Sequence, residues 1–163
     1  MTMKRTITEN LMTKVDLYLG LGSNLGDREV NLMRAVTFMD QAFGTPPERI
    51  YNIYETPSWG FEGPAFLNMC ILYALPVEKP SVEHATEVLH KIKEIERTLG
   101  RDDRPEYDAD GKRIYHNRTI DIDILYYGDQ TINTEELTIP HPLIGERDFV
   151  KKPLKEIYKK KSI

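Results

Sequence analysis

The chain has 163 residues, 40% hydrophobic and 29% charged, the balance of one globular domain and not of a disordered or fibrous chain. Its 22 basic and 26 acidic residues leave a net charge of −4, so no global basic field draws it to nucleic acid or to an anionic membrane. A single cysteine, Cys70, excludes an internal disulfide and a cysteine-rich zinc site, and it fits a reducing, cytoplasmic setting.

Residues 1–14 start with basic groups but carry no apolar h-region, so they are expected to form a frayed tail and not a secretory signal. Residues 15–163 are then one domain, since no repeat or linker divides them. Val15, Leu17, Leu19 and Leu21 alternate, which predicts a strand with one buried face. Gly22 to Asp27 reads as a turn with several possible caps. From Glu29 to Phe43 apolar residues recur every three or four positions, the period of an amphipathic helix, and Gly44 with Pro46-Pro47 ends it.

Arg49–Thr56 is rich in β-formers and predicts a second strand, followed by a loop over Pro57–Pro64. Phe66–Leu75 is almost continuously apolar, as befits a central strand buried on both faces. The longest apolar stretch within it, Met69–Leu75, is far short of the roughly 20 residues of a membrane span. Ser81 can cap a helix whose stripe runs from Val82 to Leu99, with Gly100 as its stop. Residues 101–117 are long for a loop without structure and suit a lid or a disordered segment. Arg118–Tyr127 is the fourth strand, and the lysine-rich end is read as a solvated tail. The order strand, helix, strand, strand, helix, strand predicts an α+β, ferredoxin-like β-α-β-β-α-β fold. Such a fold has an antiparallel sheet with both helices on one face, leaving the other face open for an active site. It hosts unrelated functions, so function has to be read from individual residues.

Asp121 and Asp123 stand at i and i+2 on a strand and share a face, while Ile120, Ile122 and Ile124 point to the other. Aspartate is depleted in strands, and two neighbouring carboxylates repel unless a cation lies between them. The pair is either a site for a hard cation such as magnesium, completed by substrate phosphates, or merely a wetted polar face. Arg118 beside it suits a phosphate clamp or a salt bridge to one of the acids. Glu96 falls inside the apolar stripe of its helix and needs either a ligand or a structural partner. Asn68 interrupts the central strand; its amide suits the edge of a flat heterocycle or neighbouring backbone, with Phe66, Trp59 or Phe149 available for stacking. Gly20-Leu-Gly-Ser-Asn-Leu-Gly26 is not a dinucleotide loop, because Leu25 occupies the place of the last required glycine; the glycines are read as turn requirements. His84 and His90 lie on different helix faces and are read as solvated, and no nucleophile motif is evident.

In order along the chain stand Leu19-Gly-Leu-Gly-Ser-Asn-Leu25, Glu55-Thr-Pro-Ser-Trp-Gly60, Phe66-Leu-Asn68, Gly100-Arg101, Arg118-Thr-Ile-Asp-Ile-Asp123 and Ile139-Pro-His-Pro-Leu143. This ordered set resembles the 6-hydroxymethyl-7,8-dihydropterin pyrophosphokinases of folate synthesis over about residues 15 to 155. The resemblance implies transfer of the β,γ-pyrophosphoryl unit of Mg-ATP to the pterin hydroxymethyl group, with AMP leaving. It implies Asp121 and Asp123 as ligands of two magnesium ions. It implies Thr56, Pro57, Trp59, Phe66, Asn68 and Phe149 as the pterin pocket. Glu96, Tyr115, Arg118, Ile124, Thr138, His141 and Arg147 are implied for ATP. Arg101 and Arg118 are implied as the arginines acting on the phosphates, and residues 101–117 as a closing loop. The sequence departs from the family in having Tyr115-His-Asn117 for the usual Trp-Gly-Pro, a longer loop with Asp103-Arg104 after Arg101, and Glu136 where arginine is usual. A monomer acting on small molecules is expected, with no nucleic-acid or membrane partner. The residues by themselves also allow a heterocycle-binding module without chemistry, or another metal-dependent nucleotidyl transferase.

Overall fold

A computed structural model describes residues 12–51, 53–57, 63–100, 106–114, 119–142 and 144. Of the tail expected over residues 1–14, residues 1–11 lie outside the described residues, while Thr13 and Lys14 are not frayed but belong to the first strand; the lysine-rich end also lies outside, as do Trp59, Arg101, Tyr115, Arg118, Arg147 and Phe149.

The alternating segment forms β1, Thr13–Ser23, two residues longer at each end than its apolar pattern. Helix α1, Arg28–Phe43, starts at Asp27, whose Oδ1 accepts from the Val30 N–H at 3.1 Å. It ends at Gly44, where φ is 68° and the N–H donates to Asp40 O at 2.9 Å; a left-handed cap of this kind favours glycine. The expected second strand splits into β2, Arg49–Ile50, and β3, Tyr54–Thr56. Between them the Tyr51 ring is buried and its N–H donates to Cys70 O at 3.0 Å. β4, Phe66–Val77, is buried on both faces along most of its length. Helix α2, Val82–Thr98, is capped by Ser81, whose Oγ accepts from the His84 N–H at 3.0 Å.

The segment read as a lid or a disordered loop contains a hairpin of β5, Glu106–Tyr107, and β6, Arg113–Ile114. Asp108 Oδ1 builds its turn by accepting from the Asp110 and Lys112 N–H groups, each at 2.9 Å. The fourth long strand is β7, Asp121–Tyr127; Thr119 and Ile120 precede it and are not part of it. β8, Ile132–Asn133, and β9, Thr138–Ile139, form a further hairpin.

The result is an α+β fold with an antiparallel main sheet in the order β2-β4-β1-β7, β3 also pairing with β4. One apolar cluster joins the sheet to both helices: Leu17 and Leu19 of β1, Ile71 and Tyr73 of β4, Ile122 and Ile124 of β7, Leu32 and Met39 of α1, and Val88 and Ile92 of α2. Each such side chain contributes about 1.5–3 kcal/mol by leaving water. Ile132 and Ile139 of the small hairpin add to the same cluster.

The residues that alternate with these on the sheet do not leave a uniformly bare second face. Tyr18, Tyr51, Cys70, Leu72 and Leu125 form a second, smaller cluster. The β1–β7 register shifts between Tyr18 and Leu19, so Leu125 is the extra residue of a bulge and turns into this cluster. His84 is also not the solvated side chain expected. Its Nδ1 lies 2.6 Å from the Tyr127 hydroxyl, which also accepts from the Ser81 N–H at 3.3 Å. No helix of the described residues is long and apolar enough to cross a membrane.

Candidate active site

Gly22, expected in a turn, lies in β1, and its two cross-strand partners are Asn68 on β4 and Asp121 on β7. Gly20 pairs in the same way with Cys70 and Asp123. With strands about 4.8 Å apart, Asn68 and Asp121 stand roughly 10 Å from each other across bare glycine backbone. The glycines matter through their missing side chains. A Cβ on Gly22 would lie 3.1 Å from Asn68 Oδ1 and 3.3 Å from Phe66 Cδ1; one on Gly20 would lie 3.5 Å from Leu125 Cδ1. Of the glycines in this motif only Gly26, at φ 65°, serves a turn.

On the β4 side the structure brings together Thr56, Phe66 and Asn68. Asn68 is 2% exposed, and its Nδ2 donates to Thr56 Oγ1 at 2.8 Å, Tyr54 O at 3.2 Å and Phe66 O at 3.4 Å. Two carbonyl acceptors around the nitrogen fix the amide's orientation. Its donors are engaged by the protein, and Oδ1 is held over Gly22. Pro57 follows Thr56 and is exposed.

On the β7 side Asp121 and Asp123 are partly exposed, whereas Ile122 and Ile124 are buried in the main core. Glu96 is 2% exposed and resolves its odd position by accepting the Ile122 N–H at 2.9 Å. β7 is an edge strand of the main sheet, so this carboxylate takes an edge N–H midway between the two aspartates. Three residues on, the His141 N–H donates to Leu125 O at 3.1 Å, and the His141 ring nitrogen Nε2 lies 3.7 Å from Asp123 Oδ1. Glu96, Asp121, Asp123, Ile124, Thr138 and His141 thus line one cleft of about 230 Å³, joined there by Lys93 and Glu136. Glu136 is held from outside by His90, Nε2 to Oε2 at 2.6 Å.

The donor set fits a hard divalent cation. It offers two carboxylates on one face beside backbone without side chains. Among the described residues no group of three or more His, Cys, Asp or Glu forms a complete metal cage. Two acids on one face suit magnesium, which completes its shell with water and substrate phosphate.

Sequence reasoning overlooks Asn24 and Arg28, which act from the β1–α1 junction. A polar residue after a strand reads as a helix cap, yet the buried Asn24 donates through Nδ2 to Pro64 O at 3.2 Å. Asn31 secures the same junction, its Nδ2 donating to Leu25 O at 2.7 Å and Ser23 Oγ at 3.2 Å.

A sequence model described as 7,8-dihydro-6-hydroxymethylpterin-pyrophosphokinase matches residues 18–159. Three bacterial relatives carry the name 2-amino-4-hydroxy-6-hydroxymethyldihydropteridine pyrophosphokinase. That of Aquifex aeolicus is 39% identical over 142 residues, covering 86% of this chain and 79% of the relative. The Bacillus subtilis protein is 38% identical over 141 residues, 86% of this chain and 76% of its own length. The Porphyromonas gingivalis protein reaches 40% over 144 residues, 86% and 89%. A match of this extent to the family model and to relatives over 76% to 89% of their own length means that the chain belongs to the 7,8-dihydro-6-hydroxymethylpterin-pyrophosphokinase family.

Proposed function

We propose that catalysis takes place over Gly20 and Gly22, with ATP in the cleft along β7 and the pterin beside Asn68. The activity is that of the family: the enzyme transfers pyrophosphate from ATP to the hydroxymethyl group of 6-hydroxymethyl-7,8-dihydropterin, a step of folate biosynthesis. The pterin hydroxyl oxygen bonds to the β-phosphorus and gives up its proton to solvent, the bond from that phosphorus to the α,β-bridging oxygen breaks, and AMP leaves. The attacking group is the substrate's own hydroxyl, so no side-chain nucleophile is needed, and positioning with charge neutralisation carries the reaction.

Asp121 and Asp123 are the residues that would hold magnesium, two ions by family resemblance. Bound there, magnesium supplies neutralisation of the phosphate charge. Glu96 and the His141 N–H hold the edge strand that carries the aspartates, while Thr138, Ile124 and the His141 ring line the nucleotide's side of the cleft. Asn68 Oδ1 accepts from the pterin's N–H edge, and Phe66 packs beside it. Thr56 and Pro57 complete this wall, with Trp59 and Phe149 assigned by resemblance. Arg101 and Arg118 act on the phosphates, and Tyr115 and Arg147 on the nucleotide, on the same ground. The sheet order and the shared core of both helices favour a ferredoxin-like fold with the site on the face away from the helices. Residues 15–163 then form one cytoplasmic, monomeric domain.

The observation that carries this placement is that Asn68 and Asp121 flank the same side-chain-free residue, Gly22. Incubation with Mg-ATP and the pterin alcohol tests the reading, with AMP and pterin diphosphate as the expected products. Release of inorganic pyrophosphate would indicate nucleotidyl transfer instead, and binding without AMP would indicate a module without chemistry.

A further inference from the structure

Arg28, in the first turn of α1, forks across the end of the β3–β4 pair. Its Nη2 donates to Glu55 Oε2 at 2.8 Å and its Nη1 to Ala65 O at 2.9 Å. These acceptors sit next to Thr56 and Phe66, which are themselves the last cross-strand pair of that hairpin. One guanidinium therefore bridges the residue before Thr56 and the residue before Phe66. The planar fork of arginine suits two acceptors on separate strands, and a lysine ammonium does not reproduce it. Asn24 reinforces the grip one residue earlier on the segment leading into β4, at Pro64 O.

The consequence runs to Asn68. Thr56 Oγ1 and Phe66 O are both acceptors of the Asn68 amide, so the spacing of β3 from β4 sets where that amide stands. We infer that Arg28 is a positioning residue for the pterin. It fixes the Thr56–Phe66 pair and, through it, the direction of Asn68 Oδ1 over Gly22. This rests on the placement of the pterin beside Asn68. Arg28 does not contact the cleft along β7, so its effect is confined to one substrate.

The test is titration of the purified enzyme with 6-hydroxymethyl-7,8-dihydropterin in the presence of magnesium and a non-hydrolysable ATP analogue, with the analogue also titrated by itself. Arg28→Ala should weaken pterin binding by roughly five- to tenfold, the loss expected from one or two charge-assisted hydrogen bonds acting indirectly. The affinity for the analogue should stay within about twofold of the parent. Arg28→Lys should keep part of the parent's pterin affinity, and Glu55→Gln, which keeps an acceptor, most of it. A merely structural arginine would lower the melting temperature and weaken both ligands together, and that outcome overturns the inference, as does undiminished pterin affinity in Arg28→Ala. Asn68→Ala separates the two levels. Unchanged pterin binding in that variant removes the pterin placement and the inference with it. Weakened binding there beside an unaffected Arg28→Ala removes the inference alone.

Discussion

Replacing Gly22 by alanine tests the glycine floor directly, because stability and binding should respond differently. In a strand interior alanine is favoured over glycine by about 0.5–1 kcal/mol through the entropy of the unfolded chain. Against this, the new methyl would sit 3.1 Å from Asn68 Oδ1 and 3.3 Å from Phe66 Cδ1. Neither neighbour yields freely. The Asn68 nitrogen is tied to three acceptors, and one of them is the carbonyl of Phe66 itself. Overpacking of this kind costs about 1–3 kcal/mol, so the net effect is a loss of about 0–2.5 kcal/mol. Pterin affinity should suffer more, since the displaced atom is the one offered to the ligand, and a fall of about tenfold or greater corresponds to a single lost hydrogen bond. Gly20→Ala is the internal contrast. Its methyl would meet Leu125 at 3.5 Å and beyond, an ordinary contact, so the backbone gain dominates and the melting temperature rises by about 1–4 °C. Calorimetric melting and pterin titration of the pair read both effects. A Gly22→Ala protein that melts no lower than Gly20→Ala and binds pterin like the parent would refute the reasoning.

The other expectations concern the acids, a half-buried histidine and the lone thiol. Asp121→Asn or Asp123→Asn should lower turnover at least about a hundredfold, yet shift stability by no more than about 0.5 kcal/mol, because both side chains point away from the main core. Retained turnover with saturating magnesium would count against the metal role. The pKa of His84 is lowered, first by burial and then by Lys91, with Glu87 opposing. Between its ordinary value of 6.5 and the lower folded value the unfolded chain holds the extra proton, so stability rises with pH through that window and falls on acidification below 6.5. His84→Gln should flatten the urea midpoint against pH below 6.5, and parallel profiles for the two proteins would contradict the assignment. Burial pushes the Cys70 thiol up to about 12, so a thiol reagent should label it only at the rate of unfolding. Rapid labelling of the native protein would show the second cluster to be open.

Local pattern made much of this fold legible, and long-range pairing explains the remainder. The alternation over Val15–Leu21, the three-to-four spacing in both helices and the Ser81 cap are written within a few neighbouring residues, and each element forms where that pattern lies. The two-residue strands β5, β6, β8 and β9 are too short to show any period. Gly20 and Gly22 read as turn residues because glycine most often relieves a backbone constraint; here the requirement comes from Asn68, Phe66 and Leu125 on other strands. His84 reads as solvated in the sequence because Tyr127, its partner, arrives from β7. The misplaced carboxylate of Glu96 was visible in the helical pattern, but its partner was not. A backbone N–H becomes an acceptor's target only once β7 is known to lie at the sheet's edge.

That edge position explains why the aspartates stand where they do. An acid pair on a central strand would face neighbours on both sides, whereas on β7 one flank of the strand remains approachable. An exposed edge is also prone to slip or to pair with another chain, and here it is fastened at two points. Glu96 takes the N–H of Ile122 between the aspartates, and the His141 N–H takes the carbonyl of Leu125 just beyond them. The bulge at Leu125 turns that side chain into the second cluster beside Tyr18, Cys70 and Leu72, which anchors the strand from the side facing Gly20. The two carboxylates are thus carried on a strand fastened at Ile122 and Leu125, and each is paired across the sheet with a glycine, Gly22 for Asp121 and Gly20 for Asp123.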